Sequence, residues 1–330
     1  MAAIHGEETD RLPIWASRHS ARGYEETAEE MFQRECAFQA VYDWDIARIS
    51  PAAALYMEDW GCAYKGCNHL GVPDPVARPV NTVADWARIK APAPDAKRSA
   101  DIIKATGLLA AEYGKDKPVL ITAFGPLTIA EKLAGTDLLK RTITEAPSLL
   151  EEALETIASS VAAFVRANAN AANAGIPALY YATQTANEDI VPDARLYDRF
   201  EKGPDARLLD SIKKDVVFKL LHLHGNRLKK EAFTDLPVDV INWADRRTDP
   251  PVPLSAVRAV TRICLMGGLN SRDTLVNGGK ERIENEVTDA IKQARGGGFI
   301  VSACCVLPVF GAYPEENVHF FRETVNALKR

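Results

Sequence analysis

The sequence predicts an α/β fold, a single (β/α)8 barrel over residues 1–330 with a long insertion after the second strand. Three observations lead there. Eight short apolar segments of strand length alternate with stretches of helical periodicity, the pattern of a parallel sheet covered on both faces. No G-x-G-x-x-G turn follows any of them, which removes the competing dinucleotide-binding sheet; Gly296-Gly297-Gly298 precedes a strand and serves to turn the chain into it. Polar, imidazole and thiol side chains collect just past the ends of the later segments, where a barrel gathers its chemistry.

Taken in order, Ala3 to Arg11 reads as a short helix and Leu12 to Ala16 as the first strand. From Tyr24 to Val41, charges at Glu25, Glu26, Glu29, Glu30 and Arg34 alternate with Ala28, Met31, Phe32, Cys36, Phe38 and Val41 at helical spacing, which makes an amphipathic helix. Asp45 to Ser50 forms the second strand, closed by Pro51. Residues 55–97, with Gly61, Gly66, Gly71, Pro73, Pro75 and Pro79, read as irregular up to a helix start at Asn81 to Asp85, and an insertion of this length is usually a lid or substrate-side structure. Cys62, Cys67 and His69 lie within it, but C-x4-C lacks the usual spacing for a second metal.

A helix from Ser99 to Tyr113 leads to the strand Pro118 to Phe124, and a helix from Pro126 to Ala134 begins with proline where a missing N–H costs nothing. A long helix from Ala146 to Ala174 ends at Gly175, as helices commonly do. The strand Pro177 to Ala182, a helical region from Arg195 to Lys214 and the apolar run Val216 to Leu221 ending in His222 come next. Strands at Val238 to Trp243, Ile263 to Met266 and Gly298 to Ala303 complete the set, with helices at Leu254 to Val260, Glu281 to Ala294 and Glu315 to Leu328.

Composition narrows the function classes. The 330 residues are 47% hydrophobic, enough for a large core. A net charge of -5 without clustered basic residues argues against a nucleic-acid surface. No apolar run approaches the roughly 18–20 residues needed to span a bilayer, and Met1 to Arg11 is polar, so no membrane association and a cytoplasmic location are expected. Six cysteines in a chain this long make free thiols or ligands, not a disulfide framework; Cys36 and Cys264 read as core.

Leu221-His222-Leu223-His224-Gly225-Asn226 carries the sharpest chemical signal. Side chains repeat every two residues in a strand, so His222 and His224 project from one face at its carboxyl end. A cysteine at the end of the eighth strand, Cys304 or Cys305, would complete a three-ligand set that suits zinc and leaves a fourth position open. Neighbours face opposite ways in an extended strand, so if Cys305 is the ligand, Cys304 reads as a buried thiol. Tyr180, Gln184, Asn187, Asn226, Asn242 and Asp245 fall at or just beyond strand ends, as candidates to bind substrate or orient an imidazole.

Several motifs together resemble the uroporphyrinogen decarboxylase superfamily, which includes zinc-dependent methyltransferases that work with corrinoid proteins. They are Gly6-Glu7-Glu8-Thr9-Asp10-Arg11-Leu12-Pro13, Phe124-Gly125-Pro126-Leu127-Thr128 with Gly135, Met266-Gly267-Gly268-Leu269, and Cys305-Val306-Leu307-Pro308 followed by Pro314-Glu315-Glu316-Asn317-Val318. The resemblance implies a (β/α)8 barrel. It implies for Arg18 and Arg22 a role as an arginine pair steering an anionic group, and it sets Asp45 near the place of a second-strand aspartate. A tyrosine of the decarboxylases falls near Lys132, and their late histidine is replaced by Cys305, departures that point away from decarboxylation. In the methyltransferase branch the motif is H-x-C on the fifth strand and cysteine on the eighth; His222 and Cys305 match, and His224 stands where the branch has cysteine.

The resulting expectation is a methyltransferase or demethylase that holds Zn(II) through His222, His224 and Cys305. Arg18, Arg22 and Asn226 are its expected catalytic residues, and Tyr180, Asn242 and Asp245 its expected substrate-binding residues. It moves methyl between a small substrate and a corrinoid protein carrying cobalamin, or a thiol acceptor. A metal-free decarboxylase of acidic tetrapyrroles and a non-catalytic binding barrel are the alternatives. A homodimer is compatible with the sequence.

Overall fold

Strands β1 (Ile14–Trp15), β2 (Ala47–Arg48), β3 (Pro118–Phe124), β4 (Ile176–Thr183), β5 (Lys219–Leu223), β6 (Val240–Trp243), β7 (Cys264–Gly268) and β8 (Phe299–Ser302) form one parallel sheet. Their spatial order is β1-β8-β7-β6-β5-β4-β3-β2. The structure is a computed structural model and describes residues 1–20, 26–54, 56–68, 70–308 and 313–328. The strands are buried on both faces, which is why β3 reads as an unbroken apolar run and has the same bounds in sequence and structure.

The sheet curls until its end strands meet. Between them Asp45 takes the place of a ladder: its backbone N–H donates to Ile14 O at 3.2 Å and its Oδ2 accepts from Ile14 N–H at 2.7 Å. Arg11 clamps the same carboxylate through both oxygens, at 2.7 and 2.5 Å. Asp45 therefore sits at the amino-terminal end of β2 and closes the barrel, away from the mouth.

The connections are helical. Ala28–Tyr42 links β1 to β2, starting at Ala28 because Thr27 and Glu30 form a reciprocal capping box. The expected start at Tyr24 falls among residues 21–25, outside the described set. The first helix is Ala2–His5, stopped by Gly6 in the left-handed region at φ 72°, well short of Arg11. Between β3 and β4 the expected helix Pro126–Ala134 is present, and the expected long helix is preceded by a further one: Thr136–Glu145 follows Gly135, and Pro147–Ala171 starts afresh at its proline.

The insertion after β2 is more ordered than its glycines and prolines imply. It contains short 3-10 turns at Met57–Trp60 and Val83–Arg88 and an antiparallel hairpin, Ala63–Lys65 with Asp74–Ala77. The loop of that hairpin brings Leu70 and Val72 over the carboxyl ends of the barrel strands. Among the described residues no helix is long and apolar enough to cross a membrane.

Candidate metal centre

A cavity of about 250 Å³ opens at the carboxyl ends of the strands, with His222, His224 and Cys305 in its wall. A wider concavity of about 600 Å³ lies beside Gly296-Gly297-Gly298, before β8, at the opposite end of the barrel from its chemistry.

His222 is the fourth residue of β5, and His224 lies one residue past its end. The ladder runs on that far, because His224 N–H donates to Thr183 O at 2.9 Å, so both imidazoles keep one face and their ring centres stand 5.7 Å apart. Cys305 arrives differently. β8 ends at Ser302, and the chain turns at Cys304, whose φ is 59°, with Cys305 N–H bonded to Ala303 O at 2.6 Å. Cys305 Sγ lies 4.0 Å from His224 Nδ1, and one ligand atom from each of the three residues falls within 4.8 Å of the others. This is the one such His/Cys/Asp/Glu group of three among the described residues. Cys62 is buried with its Sγ near Lys132 O, and His69 lies outside the described residues.

Asn242 fixes the imidazole of His222. Its Nδ2 donates to Met266 O at 2.8 Å, which leaves Oδ1 as acceptor toward His222 Nδ1 at 2.6 Å. His222 thus turns Nδ1 to Asn242 and Nε2 toward the cavity, the arrangement that commonly orients a metal-binding histidine. The parallel register sets His222 beside Asn242, so the contact is written into the sheet. Asn242 is buried behind His222 and does not line the cavity, so of the two roles expected of it, binding substrate or orienting an imidazole, it is placed for the second.

The two adjacent cysteines have opposite electrostatics. Burial pushes the Cys305 thiol up, yet hydrogen bonds from His222 and His224 and their charge outweigh it and hold Cys305 well below the usual thiol range. Burial, then the charge of Asp245, push Cys304 well above that range. Cys305 faces the two imidazoles, and Cys304 turns its S–H to Asp245. Cys304 does face away from Cys305, through a left-handed turn and not through strand alternation.

The remaining expected residues are dispersed. Tyr180 lines the cavity, stacked on His222 with ring centres 5.4 Å apart. Asn226 is exposed, accepting from Asp249 N–H at 3.1 Å, because Gly225 at φ 117° turns the chain out of the strand direction before it. Arg18 packs its guanidinium 4.7 Å over the ring of Phe38 on the first long helix, outside the cavity wall. Arg22 lies outside the described residues. Asp245 turns from the cavity to accept from Cys304 Sγ at 2.7 Å and Gly268 N–H at 3.0 Å.

The cavity's cations are others. Arg48, 2% exposed, donates to Thr122 Oγ1 at 2.9 Å and lies 3.8 Å over the ring of Tyr180. Lys132 donates to Gln184 Oε1 at 3.0 Å, and burial lowers its ammonium from the ordinary lysine value. Arg272 lines the wall with a buried Nε–H that finds no protein acceptor. Burial, then the charge of Arg48, pulls His19 down to about 4, so it stands neutral with Nδ1 against Pro51 O at 3.1 Å. Arg48 was open to discovery in the sequence as a charge near the carboxyl end of a strand; Arg272 and His19 sit in loops and left no such mark.

The sequence matches the family described as uroporphyrinogen decarboxylase (URO-D) over residues 1–328. The chain belongs to that family. Within it the similarity runs to methyltransferases. Methylcobamide:CoM methyltransferase MtbA of Methanosarcina mazei is 25% identical over 298 residues, 89% of this chain and 82% of the relative. Its counterpart in Methanosarcina acetivorans is 22% identical over 284 residues, 85% and 80% of the two chains. Among solved structures, a methyltransferase from Methanosarcina mazei superposes with a TM-score of 0.82 at 19% identity, covering 98% of this chain and 96% of the other. A B12-independent methionine synthase from Shewanella sp. W3-18-1 follows at TM-score 0.58 and 11% identity, covering 96% of each chain. Those likenesses establish the (β/α)8 barrel, and the family match together with the sequence relatives supports the methyltransferase branch.

Proposed function

We propose that this protein is a zinc-dependent methyltransferase that moves a methyl group between a small anionic substrate and a corrinoid protein or a thiol acceptor. The observation that carries the reading is the convergence of His222, His224 and Cys305 at the mouth of a barrel in this family. Methyl transfer involving a corrinoid is the activity named for its sequence relatives.

The donor set fits zinc. Ligand atoms on one tetrahedral zinc stand about 3.3–3.8 Å apart, given bonds of ~2.0–2.3 Å, so a spread of 4.8 Å closes with shifts of about 1 Å per side chain. His222 through Nε2, His224 and the Cys305 thiolate would hold the ion. Bound there, Zn(II) with two neutral imidazoles and one thiolate keeps a formal charge of +1 and supplies the Lewis acidity that activates a thiol or polarises a methylated oxygen.

The chain's own residues do the rest. Asn242 holds the His222 ring in its tautomer, and Tyr180 packs against that ring. Arg48, Lys132 and Arg272 place positive charge on the cavity wall, where a carboxylate or sulfonate of the substrate pairs with them and fills the free donor of Arg272. Arg18 lies outside the cavity wall, so these three residues take up the anion steering expected of it. Leu70 and Val72 of the insertion border the cavity and limit water.

The test is turnover with defined metal. Freshly purified protein is expected to carry zinc and to demethylate methylcobalamin with 3-mercaptopropionate, followed by the cobalamin spectrum, with activity lost on chelation and restored by Zn(II). Full activity in the metal-free protein, or conversion of uroporphyrinogen to coproporphyrinogen by it, would overturn the reading.

A further inference from the structure

Cys304 is the one described residue in the eighth-strand turn whose backbone a β-carbon disfavours, and two hydrogen bonds hold it there. Its φ of 59° is a conformation that residues other than glycine, asparagine and aspartate seldom adopt, and such outliers persist where surrounding contacts over-determine them. Its Sγ bonds Asp245 Oδ1 at 2.7 Å. Its N–H lies 3.3 Å from Ser302 Oγ. Asp245 also accepts from Gly268 N–H at 3.0 Å and faces Arg246 Nε at 3.5 Å through Oδ2.

One carboxylate therefore ties together the ends of β6, β7 and β8. Room for it is reserved in the sequence: a β-carbon on Gly267 would stand 2.5 Å from Asp245 Oδ1. The residue after the latched turn is Cys305.

The geometry points to Asp245 and Cys304 as a latch that positions Cys305 for the metal. They are positioning residues, since neither lines the cavity. The inference rests on the proposed metal site and deepens it. With the latch closed, the left-handed turn aims Cys305 Sγ at the two imidazoles; without it, the chain relaxes toward an extended backbone and carries Sγ away.

Zinc affinity measured by competition with a chromophoric chelator tests this on the full chain. Cys304→Ala and Asp245→Ala are expected to weaken zinc binding about 10- to 100-fold, the usual size of an effect on groups that orient a ligand. Cys304→Ser keeps a donor to Asp245 and is expected to bind within threefold of wild type. The thiolate-to-cobalt charge-transfer band of the Co(II)-substituted protein is expected to weaken in the alanine variants and return in the serine variant, which a general loss of stability would not produce. Unchanged affinity in both alanine variants, or a serine variant as weak as Cys304→Ala, overturns the latch. A crystal structure of metal-free Cys304→Ala separates this from failure of the metal reading: the latch expects Cys305 Sγ to move off His224 Nδ1, and an unmoved Sγ contradicts it whether or not zinc binds.

Discussion

Direction, more than position, decides what each side chain near the mouth can do. His222 and His224 share a face because the ladder holds one residue beyond β5, while Asn226, two residues on, is lost to the surface by the turn at Gly225. Asn242 acts through His222. Asn242→Ala is expected to lower zinc affinity about 10- to 100-fold while leaving the three ligands in place, measured by chelator competition; unchanged affinity would show that the ring is held some other way. Lys132 is a half-buried cation with one amide partner, and a hydrogen bond from such a charge to an anion is worth about 1.5–3 kcal/mol. Lys132→Met is therefore expected to raise KM for an anionic substrate by about 10- to 100-fold with kcat little changed. Equal KM in variant and wild type would place the anion elsewhere.

At the scale of the element, the segment after β4 holds a buried acidic cluster outside the barrel wall. A π-turn, Tyr197–Lys202, and the helix Gly203–Ser211 place Glu201 and Asp205 against β4. Glu201 accepts from Thr183 and, at 2.6 Å, from Thr185; Asp205 accepts from Tyr181 OH at 2.7 Å. Thr128 joins them and takes the backbone N–H of Gln184 at 2.9 Å, so the cluster props the loop that faces Lys132. Burial raises Glu201 from 4.5 to about 7, and burial, then the charge of Glu201, raises Asp205 well above the usual carboxylate range. A carboxyl whose folded value exceeds its unfolded one stabilises the fold fully below about pH 4.5, and that contribution is lost as pH rises through about 7. Glu201→Gln, which mimics the protonated group, is expected to flatten the fall in Tm between pH 5 and 8 and to raise Tm at pH 8. A pH dependence identical to wild type would show that Glu201 is ionised in the fold.

Across the whole molecule, the barrel was legible because strands buried on both faces write themselves as apolar runs, as Pro118–Phe124 does. β1 and β2 have two residues each where the sequence implied five or six, because each pairs on one side only and Asp45 completes the closure. The helix Thr136–Glu145 escaped notice between Gly135 and Pro147, with no apolar run to announce it. That His222, His224 and Cys305 come together was readable from alternation and strand ends. Asn242 was legible as a residue that could orient an imidazole, but which contact each residue makes was not, since that depends on segments far apart in sequence: Asn242 with His222, Asp245 with Cys304, Arg48 with Tyr180.

Metal content by mass spectrometry, compared in parallel for wild type, His222→Ala and Cys305→Ala, bears most directly on the account. Wild type is expected to hold about one zinc per chain after extensive dialysis and each variant far less, with circular dichroism unchanged. A wild-type protein that retains no zinc even after incubation with excess metal, or variants that retain as much as wild type, would contradict it.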